Sequence, residues 1–353
     1  MTGKSHGNTG RSRIKVLQVM ASRQNGGAEI FFSRLCTALA NAGIQQYVVA
    51  RSGAPCVAEL SEAGIPVAEL PFLFSYDLFT RRRLRALIDQ FAPRVVLTWM
   101  SRATALCPKG RFVHVGRLGG YYDLKYYGAC DYLVANTKDI AEYAVRGGWP
   151  DERVRYLPNF VDEAPAAAIA RTSFDTPPDV PLILALGRLH SDKAFDVLLR
   201  ALVLLPTIHL WLAGEGPLHD DLRRLAASLG VADRVRLLGW RADVGALLKT
   251  ADCLVCPSRI EPLGNVILEA WMHGCPVVAA DSAGPRGLVE AGKTGLLVPM
   301  EDATALAAAI QRVLDDRALA EGLSRTAYET YRARFNKESV VARYADFLSQ
   351  VAA

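Results

Sequence analysis

Short apolar runs alternate along the first half of this chain with stretches in which apolar residues recur at helical spacing. Runs rich in β-branched residues predict six strands. They are Ile14–Met20, Gln46–Ala50, Val67–Leu70, Val95–Trp99, Phe112–Gly116 and Tyr132–Ala135. Helical spacing predicts helices over Ile30–Asn41 and Phe79–Phe91. This alternation of strand and helix favours a parallel sheet covered by helices.

The same rhythm starts again after a segment rich in Pro and Ala. The second half predicts six strands, at Leu182–Leu186, Ile208–Ala213, Val235–Leu238, Cys253–Val255, Val277–Ala280 and Leu296–Pro299. It also predicts six helices, at Ala194–Leu204, Leu218–Leu229, Val244–Lys249, Asn265–His273, Ala303–Asp315 and Leu319–Phe335. The fold class is therefore α/β, with two similar-sized domains.

The change in composition sets the expected domain limits. We predict a disordered tail at residues 1–12, an N-terminal domain at 13–165 and a linker at 166–180. A C-terminal domain follows at 181–335, and a helix over 336–353 crosses back to the N-terminal domain.

Composition and charge exclude several classes of protein. Hydrophobic residues make up 51% of the chain and charged residues 22%, as in ordinary globular proteins. The N-terminus lacks the apolar core of a signal peptide, and no apolar run reaches eighteen residues, so we expect a cytoplasmic protein. The net charge is +5 and most arginines are dispersed, which argues against nucleic acid as a partner.

One basic helix departs from that dispersed pattern. Residues 79–91 contain Arg81, Arg82, Arg83 and Arg85. The pattern favours a solvated helix face, and the alternative is contact with the inner face of the plasma membrane.

The seven cysteines are scattered and predict no disulfide framework. Cys253 and Cys256 form a Cys-x-x-Cys pair, but zinc would need a second pair of ligands at suitable spacing. Because the pair lies in an apolar strand, core packing is the favoured interpretation, and we predict no metal site.

The most informative pattern is a pair of glutamates eight residues apart, Glu261 and Glu269. The first follows a predicted strand and the second lies inside a predicted helix. Carboxylates accept hydrogen bonds from sugar hydroxyls, and a helix N-terminus favours phosphate. A sugar nucleotide contains both groups.

Cations and glycines follow other predicted strands. Arg188 and Lys193 come after the first strand of the second half. The planar guanidinium group of an arginine and the mobile ammonium group of a lysine together suit a diphosphate. Gly26 and Gly27 follow the first strand of the chain and permit close approach of a ligand. Since ligands of open parallel sheets bind beyond the carboxyl ends of strands, these loops predict the binding site.

Taken together and in order, these motifs resemble glycosyltransferase family 4, whose members are retaining enzymes. The motifs are Gly26-Gly-Ala-Glu29, Gly187-Arg-Leu-x-x-x-Lys193, Glu261-x7-Glu269 with Gly274-Cys-Pro-Val-Val278, and Thr294-Gly-Leu-Leu-Val-Pro299. The resemblance covers most of the chain and implies the GT-B arrangement, with two Rossmann-like domains whose parallel sheets face a central cleft.

The resemblance also implies roles for the donor site. Glu269 would bind the ribose and Glu261 the donor sugar. The diphosphate would be held by Arg188 and Lys193, together with the backbone amides of three residues, Leu263, Gly264 and Asn265. Backbone near Trp240 and Arg241 would border the base. The donor would be a UDP-, GDP- or ADP-sugar, with no metal required.

The acceptor site is predicted in the Tyr-rich loop that follows Phe112–Gly116. Its candidates are Arg117, Gly119, Gly120, Tyr121 and Tyr122, because Tyr rings stack on sugars and their hydroxyls bind them. The resemblance implies a histidine after this strand, near the acceptor and the donor sugar, as in many relatives. Here His114 lies inside it, which favours a structural role for this side chain over a catalytic one.

The expected activity is sugar transfer with retention, by a same-face route in which the departing phosphate helps to take the acceptor proton. The acceptor would be a glycan or a lipid-linked saccharide, as in lipopolysaccharide or surface polysaccharide synthesis. Two alternatives stay open. One is a nucleotide-sugar epimerase or phosphorylase on the same fold, and the other is a non-catalytic glycan-binding module.

Overall fold

The computed structural model describes residues 14–24, 26–74 and 76–353, and these form two compact units. The first comprises the described residues up to Leu118, with Tyr122–Val134 and Val341–Ala353. The second comprises Gly119–Tyr121 and Ala135–Val340. The predicted tail at residues 1–12 lies outside the described residues. The predicted domain limits and the linker at 166–180 stay predictions.

The first sheet has seven strands. They are β1 (Lys15–Met20), β2 (Gln45–Arg51), β3 (Val67–Leu70), β4 (Val95–Trp99), β5 (Val113–Leu118), β6 (Tyr132–Ala135) and β7 (Val154–Tyr156). Their order across the sheet is β3-β2-β1-β4-β5-β6-β7, and the pairs from β3 to β5 are parallel. All six predicted strands are confirmed. The three residues of β7 were not predicted, since they are too few to establish a period.

Among the residues that the structure describes, five α-helices accompany these strands. They are α1 (Gly27–Asn41), α2 (Cys56–Glu62), α3 (Leu78–Phe91), α4 (Met100–Leu106) and α5 (Lys138–Arg146). The two predicted helices are confirmed as α1 and α3. The Asp77 side chain begins α3 by accepting a hydrogen bond from the Thr80 N–H at 2.9 Å. The other three helices, of seven to nine residues, were not predicted from the sequence.

The second sheet has six strands, and every neighbouring pair is parallel. They are β8 (Leu182–Leu186), β9 (His209–Ala213), β10 (Val235–Gly239), β11 (Cys253–Cys256), β12 (Val277–Ala280) and β13 (Leu296–Val298). Both faces of this sheet are covered. Leu182 and Leu184 belong to one buried apolar cluster, whereas Ile183 and Ala185 belong to another. Coverage on both faces explains why β8 is apolar at every position.

Eight helices complete the second half. They are α6 (Phe195–Val203), α7 (His219–Ser228), α8 (Val244–Thr250), α9 (Asn265–His273), α10 (Ala283–Leu288), α11 (Ala303–Asp315), α12 (Arg317–Arg334) and α13 (Lys337–Ala352). All but α10 were predicted. Its two glycines and a proline are weak helix formers, so no helix was predicted there from the sequence.

The strand order in this sheet reverses at β8. From β8 the chain proceeds outward through β9 to β10, and it then returns to β11 on the other side of β8. Connections that leave β8 and β11 therefore run in opposite directions and leave a crevice beyond the carboxyl ends of the two strands. The topology thus brings the segments after β8 and β11 together.

Candidate active site

The loops that follow β8, β9 and β10 lie against one another through their backbones. The Gly187 N–H donates to the Ala213 carbonyl at 3.0 Å, and the Gly214 N–H donates to the Gly239 carbonyl at 2.7 Å. Gly214 has φ +151°, and a Cβ atom there would lie 1.9 Å from the Gly187 carbonyl oxygen. Only glycine fits this approach at position 214, so Gly214 lets the loops after β8 and β9 pack closely at the edge of the sheet.

Lys193 and Glu261 meet at the crevice between β8 and β11. The Lys193 Nζ donates to the Glu261 Oε2 at 2.5 Å, and the Ser258 hydroxyl donates to the same oxygen at 3.3 Å. Both side chains are mostly enclosed, with 22% of the lysine and 12% of the glutamate exposed. Within the described residues, the Glu261 Oε1 accepts no hydrogen bond. One carboxylate oxygen thus faces the lysine and the other has no protein donor.

The charge state of Lys193 follows from this pairing. Burial acts to lower the pKa of the ammonium group, but attraction to the Glu261 carboxylate and the hydrogen bond to it outweigh burial. The net effect raises the pKa of Lys193 above its ordinary value. Lys193 is therefore a fixed cation at neutral pH.

Arg188 differs from Lys193 in its surroundings. It directly follows Gly187 and is exposed. Its side chain makes no hydrogen bond or ion pair with any other described residue. The guanidinium can therefore bind a ligand without first leaving a protein partner.

The loop from Glu261 leads into the N-terminus of α9. Gly264 precedes the helix with φ +91° and, as a glycine, has no side chain with which to cap the first turn. The Asn159 amide donates to the Asn265 Oδ1 at 3.0 Å, which orients the first helical side chain. Glu269, on the second turn, is half-buried. The predicted limits of this helix are confirmed, and its uncapped N–H groups form a place suited to an anion.

Gly284 supports the Glu261 loop from the other side. Its N–H donates to the Glu261 carbonyl at 2.7 Å, and a Cβ atom there would lie 2.3 Å from that oxygen and 2.6 Å from the Leu263 carbonyl oxygen. No role was predicted from the sequence for this glycine, nor for Asn159 or Ser258. Of these three residues, only Ser258 lies close to Glu261 in the sequence, so only its role could have been suspected from the sequence.

Trp240 and Arg241 follow β10. Trp240 is 54% exposed. The Arg241 guanidinium donates to both oxygens of Asp243, at 2.8 and 2.6 Å, and lies 5.0 Å from the centre of the Phe174 ring. The Arg241 side chain is thus held in place, whereas the indole is available at the surface.

Gly26 and Gly27 lie in the first unit, at the start of α1. The Gly26 N–H donates to the Glu29 Oε2 at 3.2 Å, and the Ser22 hydroxyl donates to the other oxygen of the same carboxylate. A Cβ atom at Gly26 would lie 3.0 Å from the Glu29 Oε2. In this structure, Gly26 therefore permits close approach of the protein's own carboxylate.

The five acceptor candidates divide between the two units. Arg117 belongs to β5 of the first unit and is 2% exposed. Its guanidinium lies 4.3 Å from the Trp99 ring centre and 4.9 Å from that of Phe31. Tyr122 lies in the same unit, with its ring parallel to that of Tyr127.

Gly119, Gly120 and Tyr121 belong to the second unit. Tyr121 is 41% exposed and its hydroxyl donates to Asp139. The Tyr121 hydroxyl is thus fixed while the residue stays partly exposed. The strand β5 extends two residues beyond its predicted end and includes Arg117. Acceptor binding by all five residues stays a prediction.

His114 is a buried residue of β5. Its Nε2 lies 3.0 Å from the Thr98 Oγ1 and 3.7 Å from the Cys130 Sγ. Burial lowers the pKa of the imidazole to about 4, so the ring is neutral at physiological pH. These contacts describe a hydrogen-bonded strand histidine.

Cys253 and Cys256 are both buried in β11 and belong to apolar clusters on opposite faces of the sheet. Burial raises the pKa of the Cys256 thiol to about 11. The two sulfur atoms therefore cannot share a ligand. Over residues 14–24, 26–74 and 76–353, no group of three His, Cys, Asp or Glu side chains is arranged to hold a metal ion.

None of the helices in the described part of the chain combines the length and the hydrophobicity needed to cross a bilayer.

Comparison with known proteins now identifies the family. Residues 180–316 match the family described as Glycosyl transferases group 1, and residues 25–164 match Glycosyltransferase Family 4. The chain is 36% identical over 331 residues to the lipopolysaccharide core biosynthesis glycosyltransferase LpsE of Rhizobium meliloti. The aligned region covers 92% of this chain and 96% of that relative.

Two solved structures share the fold. A glycosyltransferase from Rickettsia africae superposes with a TM-score of 0.86 at 19% identity, over 96% of this chain and 99% of that one. Anabaena HepE in complex with UDP-glucose superposes with a TM-score of 0.81 at 21% identity, over 96% of this chain and all of that one. The GT-B fold class is confirmed, and the epimerase, phosphorylase and glycan-binding alternatives are not favoured. The chain belongs to glycosyltransferase family 4 and is a glycosyltransferase.

Proposed function

We propose that this enzyme transfers a sugar, with retention, from a nucleotide diphosphate sugar to a glycan or lipid-linked saccharide in lipopolysaccharide core synthesis. The observation that carries the proposal is the Lys193–Glu261 pair beside the uncapped N-terminus of α9. The donor class is supported by HepE, a protein of the same fold that binds UDP-glucose. The acceptor class is supported by the similarity to LpsE.

The diphosphate of the donor fits the cationic side of the site. Lys193 has three N–H donors, and Glu261 accepts from one, so two are left for phosphate oxygens. Arg188 adds a fork, and the backbone amides of Leu263, Gly264 and Asn265 add the positive end of the helix dipole. These groups offset the charge that develops on the diphosphate as the sugar leaves, which makes a metal ion unnecessary.

The two glutamates divide the rest of the donor between them. The Glu261 Oε1, which has no donor among the described residues, accepts from a hydroxyl of the transferred sugar. Glu269 accepts from the ribose hydroxyls, and backbone at Trp240 and Arg241 borders the base. Because the carboxylate of Glu261 is also held by Lys193 and Ser258, it orients the sugar.

In the proposed transfer, the bond that breaks and the bond that forms lie on the same face of the sugar. The bond from the anomeric carbon to the phosphate oxygen breaks, and a bond from the acceptor oxygen to the same carbon forms. The departing phosphate oxygen takes the acceptor proton. Tyr121, Tyr122, Arg117, Gly119 and Gly120 are proposed for acceptor binding.

Replacing Glu269 with alanine tests the donor site. We expect binding of UDP or GDP to weaken about 10- to 100-fold, since a hydrogen bond to a charged group contributes about 1.5–3 kcal/mol. Calorimetry with UDP, GDP and ADP in the presence of EDTA measures this and identifies the base. Glu329→Ala, on an exposed face of α12, is the control and should bind like the parent protein. Equal binding by the Glu269 variant would contradict the assignment.

We also propose that α3 and the residues before it contact an anionic membrane surface. Five large side chains here are between 57% and 88% exposed, namely Leu73, Phe74, Tyr76, Leu78 and Phe79. They precede the arginines at 81, 82, 83 and 85. Exposed apolar side chains next to clustered cations are typical of interfacial helices, and the arginines alone had favoured a solvated face.

Charge reversal of this surface should release the protein from lipid. We expect Arg→Glu changes at 81, 82, 83 and 85 to weaken binding to phosphatidylglycerol vesicles by at least about 1,000-fold, since the loss of four cations costs about 1 kcal/mol for each. Phe74→Ser with Phe79→Ser should weaken it independently of salt. Arg223→Glu with Arg224→Glu, on exposed positions of α7, is the control. Vesicle sedimentation measures binding, and unchanged binding by the four-arginine variant would refute the proposal.

A further inference from the structure

Arg259 lies two residues before Glu261 and uses all five of its N–H donors. Its Nη1 donates to the Asp196 Oδ1 at 2.8 Å and to the Ser191 carbonyl at 2.7 Å. Its Nη2 donates to the Asp196 Oδ2 at 2.7 Å and to the Glu301 Oε2 at 2.9 Å, and its Nε donates to the other oxygen of Glu301. The guanidinium therefore joins its own loop to two other segments of the second unit, the one from Ser191 to Asp196 and the one at Glu301.

These segments bear directly on the Lys193–Glu261 pair. Ser191 begins the short helical turn Ser191–Lys193, so the carbonyl bound by Arg259 is two residues from Lys193. The neighbouring Ile260 N–H donates to the Asp192 carbonyl at 3.1 Å. Asp196 lies in the first turn of α6, directly after that turn. The loop carrying Glu261 is thus joined at three points to the segment carrying Lys193.

The arrangement of acceptors around Arg259 requires the planar guanidinium group of an arginine. A lysine has three donors on a single nitrogen and cannot replace the five hydrogen bonds that Arg259 makes from three nitrogens. Hydrogen bonds from Arg259 also lower the pKa of Asp196, which keeps that carboxylate charged. The Glu301 backbone has φ +63°, which is uncommon for a residue with a side chain. This conformation places its carboxylate on Arg259.

We infer that Arg259 is a positioning residue, which fixes the turn of Lys193 against the loop of Glu261 and so sets where the diphosphate and the sugar are held. The inference rests on the proposed function, in which Lys193 and Glu261 act on the donor. Arg259 does not itself touch the donor in this scheme. Its contribution is the preorganisation of two groups that do.

The conservative variant Arg259→Lys keeps the charge and removes the fork. We expect kcat to fall about 10- to 100-fold, because a displacement of about 1 Å in a catalytic group can cost 100-fold. KM should change less than about threefold, since the lost geometry acts in the transition state. Release of UDP from UDP-glucose, and of GDP from GDP-mannose as the second donor, measures turnover.

Arg171→Lys is a matched control at the other end of the same strands. Arg171 also binds a carboxylate and carbonyls, since its Nη2 donates to the Asp252 Oδ1 at 2.8 Å and to the Thr250 carbonyl at 3.1 Å. Asp252 in turn binds the N–H of Leu182, the first residue of β8. A structural role alone would give both variants the same loss of kcat, and that result would overturn the inference.

A double-mutant cycle with Lys193→Ala separates this inference from the proposed function. If Arg259 acts by holding Lys193 against Glu261, adding Arg259→Lys to the alanine variant should lower turnover by a smaller factor than it lowers the turnover of the parent enzyme. Additive losses, or parental turnover in Arg259→Lys alone, would overturn the positioning role. Parental turnover in Lys193→Ala would instead contradict the proposed function.

Discussion

Replacing Lys193 with alanine is expected to lower turnover about 100- to 1,000-fold, which is the effect of removing one charge-stabilising donor from a transition state. Lys193 is a cation with a raised pKa, 2.5 Å from Glu261, in the crevice after β8. The charge on the diphosphate grows as the bond to the sugar breaks. The loss should therefore appear in kcat more than in nucleotide affinity.

Kinetics and calorimetry on the same preparation test this prediction. Lys293→Ala is the control, because Lys293 also pairs with a glutamate, Glu290, but its side chain is 65% exposed. Removing Lys193 also leaves the Glu261 carboxylate without its ammonium partner, so the variant should be less stable. Glu261→Gln added to Lys193→Ala removes the uncompensated charge and should recover stability without recovering turnover. Normal turnover in Lys193→Ala would rule out its role.

Gly214→Ala is expected to destabilise the fold strongly. The backbone at Gly214 has φ +151°, and the added Cβ atom would lie 1.9 Å from the Gly187 carbonyl oxygen and 2.8 Å from its carbon. Backbone strain costs about 1–3 kcal/mol and overpacking a similar amount, so the total should be about 3–5 kcal/mol. The melting temperature should fall by about 10 °C for a unit of this size.

Gly230→Ala separates the clash from the backbone strain. Gly230 has φ +70°, and no atom lies within 4 Å of the position that a Cβ would take, so only the strain of about 1–2 kcal/mol should remain. Thermal unfolding followed by circular dichroism compares the two variants. Equal melting temperatures would show that the loops after β8 and β9 separate at little cost.

The pattern of apolar residues predicted most of the strands because both sheets are largely buried. A parallel strand covered on both faces is apolar throughout, as Leu182–Leu186 is, and such a run can be recognised without knowledge of its neighbours. Asn265–His273 was predicted to the residue because Gly274 and Pro276 mark its end in the sequence, and Gly274 adopts the left-handed conformation there. The helix Ala283–Leu288 was missed because its packing against Glu261 outweighs the weak helix propensity of its residues.

The site residues likewise divide into those that the sequence predicted and one that only the structure revealed. Glu261, Glu269, Arg188 and Lys193 stand in recognisable motifs after strands, and the family resemblance attached expected roles to them. Arg259 stands in no motif recognised in the sequence. Its importance lies in contacts to Ser191, Asp196 and Glu301, which no local pattern indicates.

The sequence by itself determined the two α/β halves, the family and the chemical types of residue that follow each strand, because those properties depend on local periodicity and on short motifs. The tertiary structure decided which of those residues meet. Lys193 and Glu261 are 68 residues apart in the chain and become neighbours because β11 packs beside β8. That strand order depends on the burial of apolar surface across the whole sheet, so no single segment encodes it.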